Sequence, residues 1–280
     1  MQTSSEVPPS TLMTAVDLEP LCTPAGERIQ YGSDPLQFGE LTLPNEPGPH
    51  PLVINVHGGC WLAEYSIDHT RAMARALADA GLAVWNLEYR RVGHEGGGWP
   101  GTFCDVSRGV EHARTLAPSR ALDLTRVCLM GHSAGGHLAL WLAARKRLPR
   151  SAELYLENPL SIRGVVALAP ATQLRELHAR EVFDRVVDRL MGGSPADVPD
   201  RYAIASPSDL VPLGVPQALI VGRHDDFWGW NAEAYFAAAR AAGEPRVRLE
   251  IIENAGHFEV IAPTSTAWPQ VVAAVHELLA

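Results

Sequence analysis

The pentapeptide Gly131-His132-Ser133-Ala134-Gly135 does most to limit what this chain can fold into. An apolar, β-like run at 127–130 precedes it, and a helical pattern at 136–144 follows. Between a strand and a helix, G-x-S-x-G is a turn so tight that its central residue takes a strained backbone. A Cβ on either flanking position would strike the neighbouring strand or helix. Ser133 is therefore predicted at the tip of that turn, over the positive end of the following helix. The motif alone is weak, and the rest of the chain decides whether it has partners.

Upstream, residues 27–31 and 36–43 alternate as an antiparallel edge pair, closed by Pro44-Asn45-Glu46-Pro47-Gly48-Pro49. Residues 52–56 are almost continuously apolar, the pattern of a strand covered on both faces. They run into His57-Gly58-Gly59-Cys60-Trp61. Helical spacing over 68–80, a strand at 83–89, a glycine-rich loop at 96–101 and a helix over about 102–116 lead to the serine strand. Further strands are predicted at 162–168, 218–221 and 247–252, and helices over about 231–242 and 269–279. This alternation predicts an α/β chain, one domain over 1–280, with a mostly parallel central sheet and helices on both faces. Residues 1–25, with Pro8, Pro9, Pro20 and Pro24, read as an irregular lead-in that packs as a short helix. Residues 171–213 break the rhythm with charged helical patterns at 174–178 and 181–190, then a loop carrying Gly192, Gly193 and several prolines. Such an insertion is expected as a small cap above the carboxyl ends of the strands, where ligands bind in open α/β folds.

A net charge of -9 argues against nucleic acid or an anionic membrane as the main partner, because both need a basic face. No apolar run reaches the length of a membrane span, and the first residues lack the pattern of a secretory leader. Cys22, Cys60, Cys104 and Cys128 are widely spaced with no C-x-x-C pair, so reduced thiols in a cytoplasmic protein are expected. His224 beside Asp225 has no second ligand at metal spacing. The glycines at 96–98 lack the lysine and hydroxyl of a phosphate-binding loop. Neither a metal nor a cofactor is expected.

A serine hydroxyl becomes a nucleophile only when a base takes its proton, and the base must be held in one tautomer by an acid. Two candidates for the acid, Asp225 and Asp226, follow the strand at 218–221, and His257 follows the strand at 247–252. All three positions end strands and so lie on one edge of the sheet. Backbone N–H groups of Gly59, Cys60 and Ala134 are candidates to receive the oxyanion of a tetrahedral intermediate, with His57 orienting its own loop. Trp61, Trp99, Trp228 and Trp230 fall in loops near that edge, either lining a substrate pocket or covering the core rim. His132 and His137 are expected to pack or to hydrogen-bond.

Taken together, His57-Gly58-Gly59-Cys60-Trp61, the Ser133 pentapeptide with Gly136-His137, Gly222 with Asp225, and Gly256-His257 resemble the α/β-hydrolases that carry H-G-G-x-W. These are the kynurenine formamidase-like and feruloyl-esterase-like carboxylesterases, and the likeness covers most of residues 50–280. The resemblance implies Ser133 as nucleophile, His257 as base and Asp225, three residues past the strand-ending glycine, as acid in preference to Asp226. Phe227-Trp228 departs from the family's usual valine-proline there. The expected activity is cleavage of small carboxylic esters through an acyl-enzyme, with an arylformamidase or other amidase as the alternative. A non-catalytic ligand-binding protein on the same scaffold is the reading from another class. The partner expected is a small-molecule ester or amide, and both a monomer and a homodimer stay open.

Overall fold

The computed structural model describes residues 12–18 and 26–280. Of the lead-in expected over 1–25, it describes a short helix, α1 (Ala15–Leu18); most of the remainder, Cys22 included, lies outside the described residues. Eight strands form one sheet: β1 (Glu27–Gln30), β2 (Phe38–Thr42), β3 (His50–Val56), β4 (Ala83–Leu87), β5 (Leu122–His132), β6 (Gly164–Leu168), β7 (Gln217–Gly222) and β8 (Val247–Ile252). Their order is β1-β2-β4-β3-β5-β6-β7-β8. β2 pairs antiparallel with β1 and β4, and every other pairing is parallel.

The central parallel strands are mostly apolar because both faces are covered, whereas the edge strand β8 is half-buried and carries Arg248 and Glu250. Successive residues feed opposite cores: Ile54, Trp85, Leu129 and Leu219 enter one, and Val53, Val84, Met130 and Ile220 the other. Helices α2 (Arg71–Asp79), α3 (Gly101–Arg120), α4 (Ala134–Ala144), α8 (Gly229–Ala241) and α9 (Trp268–Leu279) clothe the two faces. α3 outruns its expected end and includes Pro118, closing on Ala121 in the left-handed region.

Between β6 and β7 lie α5 (Leu174–Ala179), α6 (Val182–Met191) and α7 (Pro199–Ala205). The last replaces what reads as loop in the sequence, since Pro199 stands in its first turn, where proline's missing N–H costs nothing. From β3 the chain crosses to β4 on one side, and from β5 to β6 on the other. The carboxyl ends of the adjacent strands β3 and β5 therefore flank the point where the winding reverses, and a crevice opens there.

Candidate active site

Ser133 joins β5 to α4 with φ 54° and ψ −118°, a conformation that costs a non-glycine residue about 1–3 kcal/mol and persists only under outside constraint. The constraint is close packing. A Cβ on Gly131 would lie 2.2 Å from the Gly135 carbonyl oxygen, and one on Gly135 would lie 2.0 Å from that of Val56. The Ser133 N–H donates to Leu168 O at 2.8 Å, and its carbonyl accepts from Ala171 N at 3.2 Å. Both glycines of the motif are thus required by contact with neighbouring backbone. The hydroxyl lies on the wall of a cavity of about 700 Å³ and makes no hydrogen bond among the described residues.

Asp225 and His257 line the same cavity. His257 Nδ1–H donates to Asp225 Oδ2 at 2.6 Å, while Asp225 Oδ1 accepts from the Trp228 N–H at 3.0 Å. With Nδ1 occupied, Nε2 is left as the basic nitrogen of the ring. Asp226 is exposed and has no partner among the described residues, so the geometry favours Asp225 of the two acids. His132 donates Nε2–H to the His257 carbonyl at 2.9 Å, with the two rings 4.4 Å apart. Burial and the neighbouring His257 hold His132 well below the usual histidine range, which keeps it neutral. Trp228 stacks near the His257 ring at 5.9 Å.

The loop after β3 turns through three successive positive-φ residues, Gly59 (107°), Cys60 (51°) and Trp61 (57°). A Cβ at Gly59 would lie 2.3 Å from Tyr65 Cβ, so glycine is demanded there by space as well as by φ. The N–H groups of Gly59, Cys60 and Ala134 donate to no acceptor among the described residues. Burial pushes the Cys60 thiol up to about 12, so it stays protonated and contributes backbone.

Beneath the loop lies a buried polar cluster. His57 Nδ1–H donates to Gly58 O at 2.7 Å, and its Nε2 lies 3.0 Å from Glu88 Oε1. Glu88 also receives Arg91 and the N–H groups of Ile67 (3.1 Å) and Tyr89 (2.8 Å). Burial opposes ionisation of Glu88, yet His57 and Arg91 outweigh it and bring the carboxyl down to about 2. Glu88 and Arg91 escape a reading of the sequence, because nothing in their local pattern marks them.

Of the four tryptophans, only Trp228 lines the cavity. Trp61 is wholly buried, its indole N–H given to His137 Nδ1 at 3.2 Å. Trp99 packs on Phe103 and donates to Glu153, and Trp230 donates to Phe227 O beneath Arg180. Those three serve packing, and the apolar wall is built instead by Phe183, Phe227 and Phe258. Their signal in the sequence was no stronger than that of any loop phenylalanine.

The parallel sheet, the strained serine at its switch point and the hydrogen-bonded Asp225 and His257 after neighbouring strand ends fit the α/β-hydrolase fold. The chain belongs to the BD-FAE family, whose model matches residues 40–228. It is 25% identical over 248 residues to Esterase LipC of Mycobacterium tuberculosis, covering 82% of this chain and 59% of that protein. It is 28% identical over 205 residues to versiconal hemiacetal acetate esterase of Dothistroma septosporum, covering 69% and 60%. The chain thus spans about three fifths of the length of these curated relatives. Among solved structures, Esterase B from Lactobacillus Rhamnosis (HN001) superposes with a TM-score of 0.72 at 27% identity, covering 90% of this chain and 83% of that one. No helix among the described residues is long and apolar enough to cross a membrane.

Proposed function

We propose that this chain is a serine carboxylesterase that cleaves small carboxylic esters through an acyl-enzyme. Ser133 Oγ attacks the ester carbonyl carbon as its proton passes to His257 Nε2. Asp225 holds the imidazole in the required tautomer and stabilises the imidazolium that forms. The carbonyl oxygen, now carrying the negative charge, is received by the unpaired N–H groups of Gly59, Cys60 and Ala134. In a serine protease, losing one such donor costs about 3 kcal/mol of barrier. When the C–O bond breaks, His257 returns the proton to the leaving alkoxide. Water then repeats the sequence on the acyl-Ser133 ester, and the acid is released.

The single observation that carries the reading is the 2.6 Å bond from His257 to Asp225 on the wall of the cavity that also holds Ser133. Esterase-named relatives support the ester over the formamide. So does the lining, which among the described residues has no lysine or arginine to meet the α-carboxylate of N-formylkynurenine. The insertion at 171–213 acts as a small cap through Phe183. Free thiols at Cys60, Cys104 and Cys128 fit a reducing cytoplasm. The test is Ser133→Ala: turnover of p-nitrophenyl acetate and labelling by a fluorophosphonate should both vanish while the folded signal remains. Retained turnover would refute the assignment, and an unlabelled wild-type serine would favour a binding protein. A kcat/KM for N-formylkynurenine above that for the ester would favour the formamidase.

A further inference from the structure

The cavity wall is divided in chemistry. One part is aromatic: Trp228 and Phe258 pack against His257, and Phe183 and Phe227 pack on Trp228, with Phe183 edge-on to Phe227 at 5.4 Å. The segment after the glycine loop contributes Glu64, Tyr65 and Asp68. Among the described residues, the exposed large apolar side chains are Val16, Tyr65, Phe183 and Phe227, and the last three line this cavity. The aromatic surface therefore reaches the mouth, where a substrate's non-reacting part would rest.

Charge is equally one-sided. Among the described residues, no lysine or arginine lines the cavity, and the sequence before Arg28 contains none. Glu64 is exposed and makes no hydrogen bond or salt bridge among the described residues, although its charge acts on His94. Asp68 lies 2.7 Å from Arg71, but the same guanidinium also serves Glu40 at 2.6 Å, one cation divided between two carboxylates. Two of the lining histidines add no positive charge: burial lowers His69 to about 4 and holds His132 neutral.

We infer that the cavity selects esters whose non-reacting part is apolar or aromatic and carries a cationic nitrogen, with Glu64 and Asp68 as the specificity-determining residues. An ammonium group with a hydrocarbon surround gains from both halves of the wall, through cation–π contact with the aromatic faces and Coulomb attraction to the carboxylates. An anionic substrate meets the same carboxylates, with no lysine or arginine among the described lining residues to pair it. This inference rests on the esterase reading, and its test separates the two.

Acetylcholine, its uncharged carbon analogue 3,3-dimethylbutyl acetate and an anionic hemisuccinate ester are compared by kcat/KM. In parallel, benzyltrimethylammonium, benzyl alcohol and benzoate are titrated calorimetrically into the Ser133→Ala variant. The expected order in both series is cation, then neutral, then anion. The cation-to-neutral ratio should fall about threefold in Glu64→Gln and about tenfold in Glu64→Gln with Asp68→Asn, and should narrow as salt is raised. A ratio at or below one, or one that both substitutions leave unchanged, overturns the inference while leaving the esterase standing. If no ester is hydrolysed, the esterase reading falls and the titrations alone decide the charge preference.

Discussion

Trp61 gives its indole N–H to His137 Nδ1 at 3.2 Å, across 76 residues of sequence, and the same ring gives Nε2–H to Ala205 O at 3.0 Å. One neutral imidazole, wholly buried, thereby ties the glycine loop, the helix behind Ser133 and the insertion between β6 and β7. Protonation would set N–H against N–H.

Burial accordingly lowers His137 to about 4. A histidine kept neutral in the folded state binds fewer protons than the unfolded chain between about 4 and its ordinary value near 6.5. Its contribution is complete above about 6.5 and is lost as pH falls through that window, at about 1 kcal/mol per pH unit. His69 adds to the same trend. Urea unfolding should give stability that declines steeply from pH 7 to 5, with a shallower slope in His137→Gln. An identical slope would show that His137 does not titrate with folding.

The two neighbouring carboxylates separate cleanly. Asp225 is bonded to His257 Nδ1, whereas Asp226 is exposed. Asp225→Asn should lower kcat on p-nitrophenyl acetate by about 10³–10⁴-fold, because the amide favours the wrong tautomer of His257. Asp226→Asn should change it less than about twofold. Similar losses in both variants would overturn the assignment of the acid.

Glu88 binds His57 and Arg91 in a buried cluster beneath the glycine loop. Glu88→Gln leaves Arg91 as an uncompensated buried cation, a change that costs about 3–5 kcal/mol. The loosened loop should also cost kcat about tenfold, measured well below the lowered melting temperature. Because the Glu88 carboxyl is brought down to about 2, its contribution is present above the ordinary carboxylate value and is lost only as pH falls through about 2. The wild-type decline between pH 7 and 5 therefore belongs to the histidines, and Glu88→Gln should retain it.

How much of this was legible in the sequence follows from the range of the signals. The strands and the elbow were readable because a doubly covered strand is largely apolar and because Gly131 is demanded by contact with Gly135 four residues on, although the contact that demands Gly135 comes from Val56 on the neighbouring strand. α7 was not, since Pro199 signals both a loop and a helix's first turn. Ser133, Asp225 and His257 could be proposed because each ends a strand and carries a reactive group. The tryptophans could not be sorted between pocket and core rim because a large aromatic in a loop can face either way, and of the four Trp228 lines the cavity. Trp61 turned inward once His137 offered an acceptor at 3.2 Å. Glu88 and Arg91 acquire meaning only when β4 is laid beside β3, a pairing no local pattern encodes.

Phe183 brings the insertion into contact with the site. The first turn of α6 is left-handed at Phe183, Asp184 and Arg185, and the Phe183 ring lies 6.1 Å from that of Trp228, nearly parallel to it. Trp228 in turn stacks near His257. A long or aromatic acyl chain entering the cavity would cover Phe183, and an acetyl group would not reach the mouth. Phe183→Ala should therefore raise KM for a p-nitrophenyl hexanoate or cinnamate ester about tenfold, the scale of about 1.5 kcal/mol for lost aromatic contact. For the acetate the change should stay within about twofold. Phe183 is 48% exposed, so the melting temperature should move little. Equal effects on acetate and hexanoate would mean that the insertion acts on the fold of the site and not as a wall for the substrate.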